Sequence, residues 1–554
     1  MKGFFIMEFN EYESMYTAVG RNAFGSAVRT AVSFYGREYS FTEIFSLIDT
    51  LADNLAAVYR LGKGDCVTLC VPNSPAAILA FYAANKLGAA VSLVHPYIPP
   101  EKLKESAVRT GSRLVVIYDQ YRCGDYDFGL PVLVTDSARY MGPVQRLYYR
   151  CTQKRTAGKY ESFEALLRKR KVPRAEAAEF GRDEPAVYLA SGGTTGTPKI
   201  IVHNNAVFNR LCSKAQEFLS EPLENYESLY NVLPVFHGFG LCINMHMCML
   251  LRRTNIMCIK FNAKSSTREI VKKRANILTG VPTMYLKLLE EKSFREADLS
   301  SIRDVFVGGD SVPAKLVEDF NRVLEAGGSR ARLYEGYGLT ETVTVCLVNT
   351  RAHNRKGSAG YPLTGTQMKI MRDGKECAPG ETGEICLLSD QFMLGYLGED
   401  FSPFTEIGGV PWLKTGDYGY ADEDGYLYFR QRIKNMIKVS GVPVYPSEVE
   451  NAAVKAEGVV KACAVGVPDP VRGQTVRLYA ELAPGRDEKA AEEEVLALCR
   501  RTLIPYAVPK EIVFRERLPV NLIGKIDRMA LERETADGAA DKGKRPPAET
   551  GSPE

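Results

Sequence analysis

The stretch YLASGGTTGTPKIIVH, from Tyr188 to His203, carries the clearest structural signal in this chain. An apolar strand runs into a loop of Gly, Ser and Thr that ends in Lys199, and a second apolar strand follows. Glycines allow tight turns that present backbone N–H groups to an anion, and a lysine adds a cation for phosphate oxygens. A Walker A loop is excluded, because a strand follows here where that motif has a helix. The residues of the predicted phosphate-binding loop are Ser191, Gly192, Gly193, Thr194, Thr195, Gly196 and Lys199.

Length and composition exclude several classes of protein. The chain has 554 residues, 45% hydrophobic and 25% charged, which is typical of a multidomain globular protein. The net charge of +4 is too small for a general nucleic-acid binder. No apolar run reaches the roughly 18 residues of a transmembrane helix, and no secretory signal is visible. The 13 cysteines include no C-x-x-C pair, and the 5 histidines lack metal-ligand spacing. We therefore predict a cytoplasmic enzyme without nucleic-acid partner, zinc site or integral membrane segment.

Helical and strand patterns alternate through the first part of the chain. Between 41 and 93, the helical pattern FTEIFSLIDTLADNLAAVY is followed by the strand CVTLC and by another helix and strand. This alternation predicts a multidomain α/β protein with a largely parallel sheet. Short β-rich pieces between 385 and 428 predict a small β subdomain or the edge of a sheet. The pattern after 441 predicts a compact α+β unit. The polar stretch 535–554 predicts a disordered tail.

A basic segment from Arg146 to Arg174 contains ten Lys and Arg against two Glu. A solvated connecting segment is the favoured interpretation, because charge runs usually lie on solvated surfaces. An anionic partner, such as a membrane surface, is the alternative interpretation.

The loop SGGTTGTPK resembles the phosphate loop of the adenylate-forming superfamily, which contains acyl-CoA synthetases, adenylation domains of peptide synthetases and luciferases. Six further segments resemble signatures of that superfamily and occur in the same order, so that the resemblance covers about 41–528. They are LPVFHGFG (233–240), VGGDSVP (307–313), YEGYGLTET (334–342), LKTGDYGY (413–420), RQRIKNMIKVSG (430–441) and LPVNLIGKIDR (518–528). The resemblance implies a large N-terminal adenylation domain of packed αβ sheets over 1–431. A small, mobile α+β C-terminal domain would follow over 432–534.

The resemblance also implies nucleotide contacts. Thr340 would contact the α-phosphate, and Glu341 would hold Mg²⁺, a role that suits a hard carboxylate oxygen. A Gly-Tyr-Gly turn can expose the Tyr337 ring as an apolar plate for a purine. Asp417, predicted as an exposed carboxylate at a strand end, would accept hydrogen bonds from both ribose hydroxyls. Further cofactor-binding positions implied in this way are Gly309, Glu335, Gly336 and Arg432.

Lys525 is the residue to which the resemblance assigns catalysis. Adenylation brings an anionic carboxylate onto an anionic phosphate, and a positioned cation can stabilise the charge that develops. His237, flanked by Phe236 and Phe239, would line the acyl pocket near the reacting carboxylate. Lys434 falls at the hinge position of the family, although Gln431 stands where the family commonly has glycine. The positions that match the segment facing the thiol acceptor after domain movement are Lys438, Ser440 and Gly441.

The reaction implied by the resemblance uses a small-molecule carboxylic acid, ATP, Mg²⁺ and coenzyme A. The acid would first form an acyl-adenylate and pyrophosphate, and coenzyme A would then displace AMP to give an acyl-CoA. Transfer to a carrier-protein phosphopantetheine is the alternative. A nucleotide sensor without catalysis is disfavoured, because the chain has all of Lys199, Glu341, Asp417 and Lys525. No acidic residue lies beside His237, where amino-acid activators usually keep one, so a fatty or aromatic acid is favoured. A homodimer is left open.

Overall fold

A computed structural model of the chain describes residues 12–23, 28–168, 171–191, 199–520 and 526–542. The predicted site residues that lie outside the described residues are Gly192, Gly193, Thr194, Thr195, Gly196 and Lys525. The chain divides into two compact units, Met1–Met368 with Leu387–Leu413 and Lys369–Cys386 with Lys414–Glu554. None of the described helices combines the length and the hydropathy needed to cross a membrane.

The starts of several helices are set by local capping residues. The described helices are α1 Met15–Ala23, α2 Phe41–Tyr59, α3 Pro75–Lys86, α4 Pro100–Arg109, α5 Pro143–Thr152, α6 Asn205–Ser213, α7 Ala215–Phe218, α8 Cys248–Leu250, α9 Ala263–Lys272, α10 Pro282–Glu290, α11 Lys292–Arg295, α12 Ala314–Ala326, α13 Pro446–Ala453, α14 Glu488–Thr502 and α15 Arg528–Lys542. At α2, the Ser40 hydroxyl accepts from the Glu43 N–H, while the Glu43 carboxylate accepts from the Ser40 N–H at 2.7 Å. Ser74 and Asp487 cap α3 and α14 with their side-chain oxygens. Each cap satisfies an N–H group that the first helical turn leaves unpaired.

The described strands form four sheets of nine, eight, six and five strands. In chain order they are β1 Thr30–Phe34, β2 Arg37–Ser40, β3 Cys66–Cys70, β4 Ala90–Leu93, β5 Ser112–Tyr118, β6 Val132–Thr135, β7 Glu161–Ser162, β8 Val187–Ala190, β9 Ile200–His203, β10 Ser228–Asn231, β11 Thr254–Met257, β12 Ile277–Gly280, β13 Asp304–Gly308, β14 Leu333–Gly338, β15 Val345–Val348, β16 Tyr361–Pro362, β17 Thr366–Arg372, β18 Lys375–Glu376, β19 Gly383–Ser389, β20 Gly395–Tyr396, β21 Phe404–Ile407, β22 Val410–Ala421, β23 Leu427–Arg432, β24 Ile437–Val439, β25 Val442–Val444, β26 Val459–Asp469, β27 Gly473–Leu482 and β28 Glu511–Arg515.

Two large sheets belong to the first unit. Their strand orders are β16-β15-β14-β13-β12-β10-β11-β1-β2 and β20-β9-β8-β4-β3-β5-β6-β7. Parallel pairs join β14 through β1 in the first sheet and β8 through β7 in the second. A parallel sheet is covered on both faces, and every residue of β3 is accordingly buried. The predicted α/β architecture with largely parallel sheets is confirmed.

A sheet of six strands corresponds to the predicted β subdomain. Its order is β18-β17-β19-β22-β21, with β23 paired to β22. The sheet begins with β17, before the predicted start at 385. The reason is that β17 reads TQMKIMR, in which polar residues interrupt the apolar ones, whereas β19 contains the continuous apolar run ICLL.

The five-stranded sheet forms the predicted α+β unit near the C-terminus. Its order is β25-β24-β27-β26, with β28 paired to β27. The core of this unit contains Val439 from β24, Leu478 from β27, Val449 from α13 and Val495 from α14. Apolar side chains of both helices and the sheet are thereby removed from water together. The predicted fold class, a large N-terminal part followed by a smaller α+β part, is confirmed. The boundary at 431/432 and the mobility stay predictions.

Helix α15 continues into the segment for which the sequence predicts disorder. Leu531 and Thr535 are buried one helical turn apart, and the Thr535 hydroxyl lies 3.0 Å from the Tyr479 hydroxyl. These contacts order the backbone at 535, and α15 ends at Lys542. The predicted start of the disordered tail, residue 535, is therefore too early in the sequence. Local composition does not reveal that Thr535 has a packing partner on β27. Residues 543–554 lie outside the described residues.

Candidate active site

The predicted phosphate loop starts and ends on paired strands of the eight-stranded sheet. β8 and β9 pair antiparallel, with Ala190 opposite Ile200. The Ser191 N–H donates to the Lys199 carbonyl at 2.8 Å, and the Lys199 N–H donates to the Ser191 hydroxyl at 3.1 Å. These two bonds close the base of a hairpin on either side of 192–198. The strand–loop–strand arrangement predicted from the sequence is thus present at both ends of the loop.

Lys199 and Glu341 are linked through one tyrosine. Strand β20 pairs with β9 and places the Tyr396 ring 4.5 Å from the Lys199 Nζ, with the Phe401 ring at 4.3 Å on the same ammonium group. The Tyr396 hydroxyl donates to Glu341 Oε1 at 2.8 Å. Burial, together with the neighbouring carboxylate, raises the pKa of Tyr396, so the phenol keeps its proton and remains a donor. One side chain therefore positions a predicted phosphate-binding cation and a predicted metal-binding carboxylate.

Replacing Tyr396 by Phe is expected to weaken the use of Mg²⁺ more than the binding of ATP. The ring beside Lys199 remains, whereas Glu341 loses a hydrogen bond, and such bonds to charged groups contribute about 1.5–3 kcal/mol. We expect the Mg²⁺ concentration for half-maximal pyrophosphate release to rise about tenfold, with a smaller change in the KM for ATP.

The matched control for Tyr396→Phe is Tyr506→Phe, which removes the hydroxyl of an exposed tyrosine. Tyr396→Leu, which also removes the ring, should raise the KM for ATP. An unchanged Mg²⁺ dependence in folded Tyr396→Phe would show that the hydroxyl does not position Glu341.

A buried histidine fixes the backbone at Thr340. The His203 ring is fully buried, and burial lowers its pKa to about 4, so the ring is neutral at pH 7. His203 Nε2 lies 2.8 Å from the Thr340 carbonyl oxygen, which can only accept, so Nε2 is the donor. Because His203 ends β9, this bond connects the phosphate-loop hairpin to the Thr340–Glu341 segment. No pattern in the sequence singles out this histidine.

A strained turn follows directly after Glu341. Val343 has φ 66° and ψ −57°, and the Thr344 N–H donates to the Thr342 carbonyl at 2.8 Å. These values define a γ-turn with a positive φ, which is rare for a β-branched residue and costs energy. Strained backbone of this kind concentrates at functional sites.

Two glycines from different predicted motifs close around this turn. A Cβ atom at Gly238 would lie 1.7 Å from the Val343 carbonyl oxygen, and one at Gly338 would lie 1.6 Å from the Thr344 carbonyl oxygen. No side chain fits at either position, so both must be glycine. The motif that contains His237 and the motif that contains Glu341 are therefore in backbone contact.

His237 lies in an aromatic cluster, as its flanking residues suggested. Its ring centroid is 4.7 Å from that of Phe236, which is 4.6 Å from His95. The half-buried His237 precedes a π-helical segment, Phe239–Met247, that continues into α8. Its position at the start of an apolar segment is compatible with the predicted acyl pocket, and its role stays a prediction.

The predicted cofactor-binding residues Gly309, Glu335 and Gly336 lie at the ends of β13 and β14. Gly308 pairs with Gly336, and Gly309 follows with φ +82°, a conformation that favours glycine. Burial raises the pKa of Glu335 to about 8, so this carboxyl is largely protonated at pH 7 and can donate a hydrogen bond. The prediction of an exposed Tyr337 in a turn is wrong. Tyr337 lies within β14 opposite Leu347 and is 9% exposed, because pairing with β15 extends the strand.

Asp417 and Arg432, both predicted at the ribose, lie opposite each other on β22 and β23. Arg432 Nε is 3.4 Å from Asp417 Oδ1, and Asp417 is 3% exposed while the Arg432 side chain is 58% exposed. The prediction of an exposed carboxylate at a strand end is wrong, because Asp417 is buried and β22 continues to Ala421, paired with β23. The structure nevertheless brings the two residues together. Their contact with a ribose stays a prediction.

Replacing Asp417 by Ala is expected to raise the KM for ATP about 10- to 100-fold, since each hydrogen bond to a charged acceptor contributes about 1.5–3 kcal/mol. The measurement is the ATP dependence of acid-dependent pyrophosphate release, with thermal unfolding recorded for the same preparation. Glu423→Ala, which removes an exposed acid from the loop after β22, is the control and should change neither value. Unchanged ATP affinity in a folded Asp417→Ala protein would limit Asp417 to its ion pair with Arg432.

The predicted hinge and acceptor segment forms a turn and a tight hairpin. The backbone of Lys434 lies in the 3₁₀ turn Ile433–Asn435. Ser440 and Gly441, with φ of +51° and +78°, form the two-residue turn between β24 and β25, where Val439 pairs with Val442. Two positive φ angles are what such a hairpin requires, so turn geometry by itself accounts for Gly441. Lys438 is exposed on β24. The hinge and thiol-facing roles stay predictions.

The fold is that of the adenylate-forming class of enzymes. A crystal structure of an anthranilate CoA ligase with anthranoyl-AMP superposes with a TM-score of 0.83 at 23% identity, covering 97% of this chain and 100% of that one. The long-chain-fatty-acid–CoA ligase of Bacillus subtilis (strain 168) is 32% identical over 532 residues, 92% of either chain. A feruloyl-CoA synthase of an Amycolatopsis species is 29% identical over 518 residues, 93% of this chain and 97% of that one.

The family models give the same result in more detail. Residues 20–397 match the model for AMP-binding enzymes, and 448–525 match the model for the AMP-binding enzyme C-terminal domain. The chain belongs to the AMP-binding enzyme family. The resemblance drawn from the sequence is confirmed, as is the predicted class of AMP-forming acid–thiol ligase. The carrier-protein alternative is not favoured, because the similar proteins are CoA ligases. The roles of individual site residues stay predictions.

Proposed function

We propose that this chain is a cytoplasmic acyl-CoA synthetase whose acid substrate is a fatty acid. The observation that carries the proposal is the 32% identity to a long-chain-fatty-acid–CoA ligase over 92% of both chains. The segment after His237 supports an apolar substrate, since no Asp or Glu occurs between 232 and 253 to bind an amine. Leu241, Ile243, Met245 and Met247 are buried in this segment, so it offers apolar packing surface close to His237.

The proposed reaction has two steps. A carboxylate oxygen of the acid attacks the α-phosphorus of ATP, the bond to the bridging β-phosphate oxygen breaks, and pyrophosphate leaves. The thiolate of coenzyme A then attacks the acyl carbon, the acyl–phosphate bond breaks, and AMP leaves. The first step replaces a poor leaving group with a good one, so no covalent bond to the enzyme is needed.

The chain supplies charge and position for these steps. We assign Lys199, with the hydroxyl of Ser191, to the phosphates of ATP, and the hydroxyl of Thr340 to the α-phosphate. Lys525 would stabilise the negative charge shared by the attacking and phosphate oxygens. Asp417 and Arg432 are assigned to the ribose. Residues 335–337, together with Gly309, are assigned to the adenine.

Glu341 fits a Mg²⁺ ion that ATP brings with it. Its Oε1 accepts from Tyr396, and its other oxygen receives no hydrogen bond from the described residues. No group of three or more His, Cys, Asp and Glu suited to a metal occurs in the described part of the chain. A single carboxylate suits Mg²⁺, which binds through one or two carboxylates and substrate phosphates. When bound, Mg²⁺ would neutralise phosphate charge and help to orient the leaving pyrophosphate.

We further propose that the second step requires rotation of the C-terminal domain, 432–534, about Lys434. Lys525 must be at the phosphate during adenylation, whereas the acceptor segment with Lys438 and Ser440 would face the thiol later. One small domain can perform both tasks only by turning about a short segment whose dihedral angles absorb the change.

A panel of acids tests the proposed function. The purified chain is incubated with ATP, Mg²⁺ and coenzyme A, and pyrophosphate, AMP and acyl-CoA are measured for hexadecanoate, decanoate, ferulate, benzoate and phenylalanine. We expect hexadecanoate or decanoate to give a kcat/KM about tenfold or more above that of either aromatic acid, because each buried methylene adds discrimination. ATP–pyrophosphate exchange should proceed without coenzyme A.

Different outcomes contradict different parts of the proposed function. A preference for ferulate or benzoate would overturn the fatty-acid assignment and retain the enzyme class. AMP formation that coenzyme A does not stimulate, but a phosphopantetheinylated carrier protein does, would restore the alternative acceptor.

A further inference from the structure

Helix α5 presents a row of apolar side chains to solvent. Val144, Leu147 and Tyr148 are 76%, 67% and 71% exposed, and no residue of this helix is buried. Residues spaced by three and four positions share one face of a helix, and Cys151, also exposed, extends the same row. Exposed apolar residues scattered singly need no explanation, but a contiguous row indicates an interaction surface.

The opposite side of α5 fixes the helix to the first unit by polar contacts. Arg146 donates to the carbonyl oxygens of Ala138 and Met141 at 3.1 Å, and the Tyr149 hydroxyl donates to Asp119 at 3.3 Å. Arg146 and Tyr149 are the two half-buried residues of the helix. Helix α5 is therefore attached to the first unit through Arg146 and Tyr149, and the apolar row on its other side faces solvent.

The sequence that flanks the apolar row is basic. Between 137 and 160 the sequence has six Arg and Lys and no Asp or Glu. Arg139, Lys154 and Lys159 are exposed, and the Arg150 side chain is 58% exposed, with its guanidinium 3.3 Å from Asp136. An apolar centre with a cationic rim fits a surface that is apolar inside and anionic outside.

We infer that this face, Val144, Leu147, Tyr148 and the basic residues around them, docks onto an anionic lipid bilayer. Apolar side chains of a surface helix enter the boundary between headgroups and acyl chains, and tyrosine is favoured at that depth. Lys and Arg near the surface add attraction to anionic headgroups. A nucleic acid is a poorer fit, because its affinity for proteins comes mainly from charged phosphates, which three apolar side chains at the centre of the patch cannot bind. If the proposed function holds, docking brings the enzyme to the phase in which long-chain acids dissolve.

Vesicle flotation of the full chain tests the inference. We expect the chain to float with vesicles of equimolar phosphatidylcholine and phosphatidylglycerol, less with phosphatidylcholine alone, and less at high salt. The double variant Leu147→Ser, Tyr148→Ser should lower the partition coefficient about tenfold or more on the anionic vesicles, since two apolar groups are lost. Arg150→Gln with Lys154→Gln should lower binding to anionic vesicles only.

The matched control is Val108→Ser, which alters a single exposed valine on α4 and should float like the parent chain. Thermal unfolding and pyrophosphate release with a short, water-soluble acid should be unchanged in all variants, because α5 has no assigned role in chemistry. Absence of flotation, or equal flotation of the double variant, overturns the inference. So does concentration-dependent dimerisation that the double variant loses without any vesicle binding, since the face would then bind a second copy. Vesicle binding without acid-dependent pyrophosphate release would contradict only the proposed function.

Discussion

Lys525→Ala is expected to lower acid-dependent ATP–pyrophosphate exchange about 100- to 1000-fold, the usual effect of removing one group that stabilises transition-state charge. The cation is needed while two anionic oxygens approach the same phosphorus. It is not needed when coenzyme A attacks an acyl-adenylate that has already formed. We therefore expect AMP release from a supplied acyl-adenylate and coenzyme A to remain within about threefold of the parent rate.

Two further variants sharpen this test of Lys525. Lys489→Ala removes an exposed lysine of α14 and should change neither half-reaction. Lys525→Arg keeps the charge with a different shape, so it should recover part of the exchange activity. Equal loss of both half-reactions in a folded Lys525→Ala protein would mean that this lysine supports the domain and does not stabilise the adenylation transition state.

Lys434→Pro is expected to separate the two half-reactions by about 100-fold. Proline fixes φ near −65° and disfavours the helical conformation of the preceding residue, Ile433, which lies in the 3₁₀ turn Ile433–Asn435. A penalty of about 3 kcal/mol on one backbone arrangement corresponds to a population change of ~100-fold. If rotation about Lys434 links the two steps, the arrangement that needs this turn becomes scarce, and the half-reaction that depends on it is lost.

The measurement for Lys434→Pro is both half-reactions on one folded preparation. Loss of exchange with retained thioester formation would assign the 3₁₀ turn to the adenylating arrangement, and the reverse pattern would assign it to the thioester-forming one. Lys434→Ala, which leaves the backbone free to turn, should retain both activities. Near-parental rates for both half-reactions in Lys434→Pro would show that the chain does not pivot here.

Helices and strands can be predicted from local sequence where capping residues and apolar patterns within the element determine them. The helical pattern at 41–59 matches α2, whose start is fixed by a serine and a glutamate three residues apart. The strand CVTLC is recognisable because a largely apolar run marks a strand that is buried on both faces. By contrast, β17 is not recognisable because polar residues interrupt its apolar ones. The ordered residue Thr535 is not recognisable because its partner, Tyr479, lies elsewhere in the chain.

Sequence motifs identify candidate residues of the site, but they do not indicate which side chains contact one another there. Glu341 and Lys199 were named from motifs, whereas Tyr396, which contacts both, carries no motif and becomes adjacent only because β20 pairs with β9. The burial of Tyr337 and Asp417 was also missed. Both residues lie within paired strands, and no single-sequence pattern indicates which strand will be the neighbour.

The sequence alone determined the family, the class of reaction and the α/β architecture, because short motifs and local periodicity contain that information. The tertiary structure decided how the predicted groups are held. The contact of Gly238 with the strained turn at Val343 depends on backbone atoms from two distant segments meeting within van der Waals distance. The outward apolar row on α5 likewise follows from which side of the helix Arg146 and Tyr149 fix. Both are properties of chain packing, which residue types constrain only after the sheets have assembled.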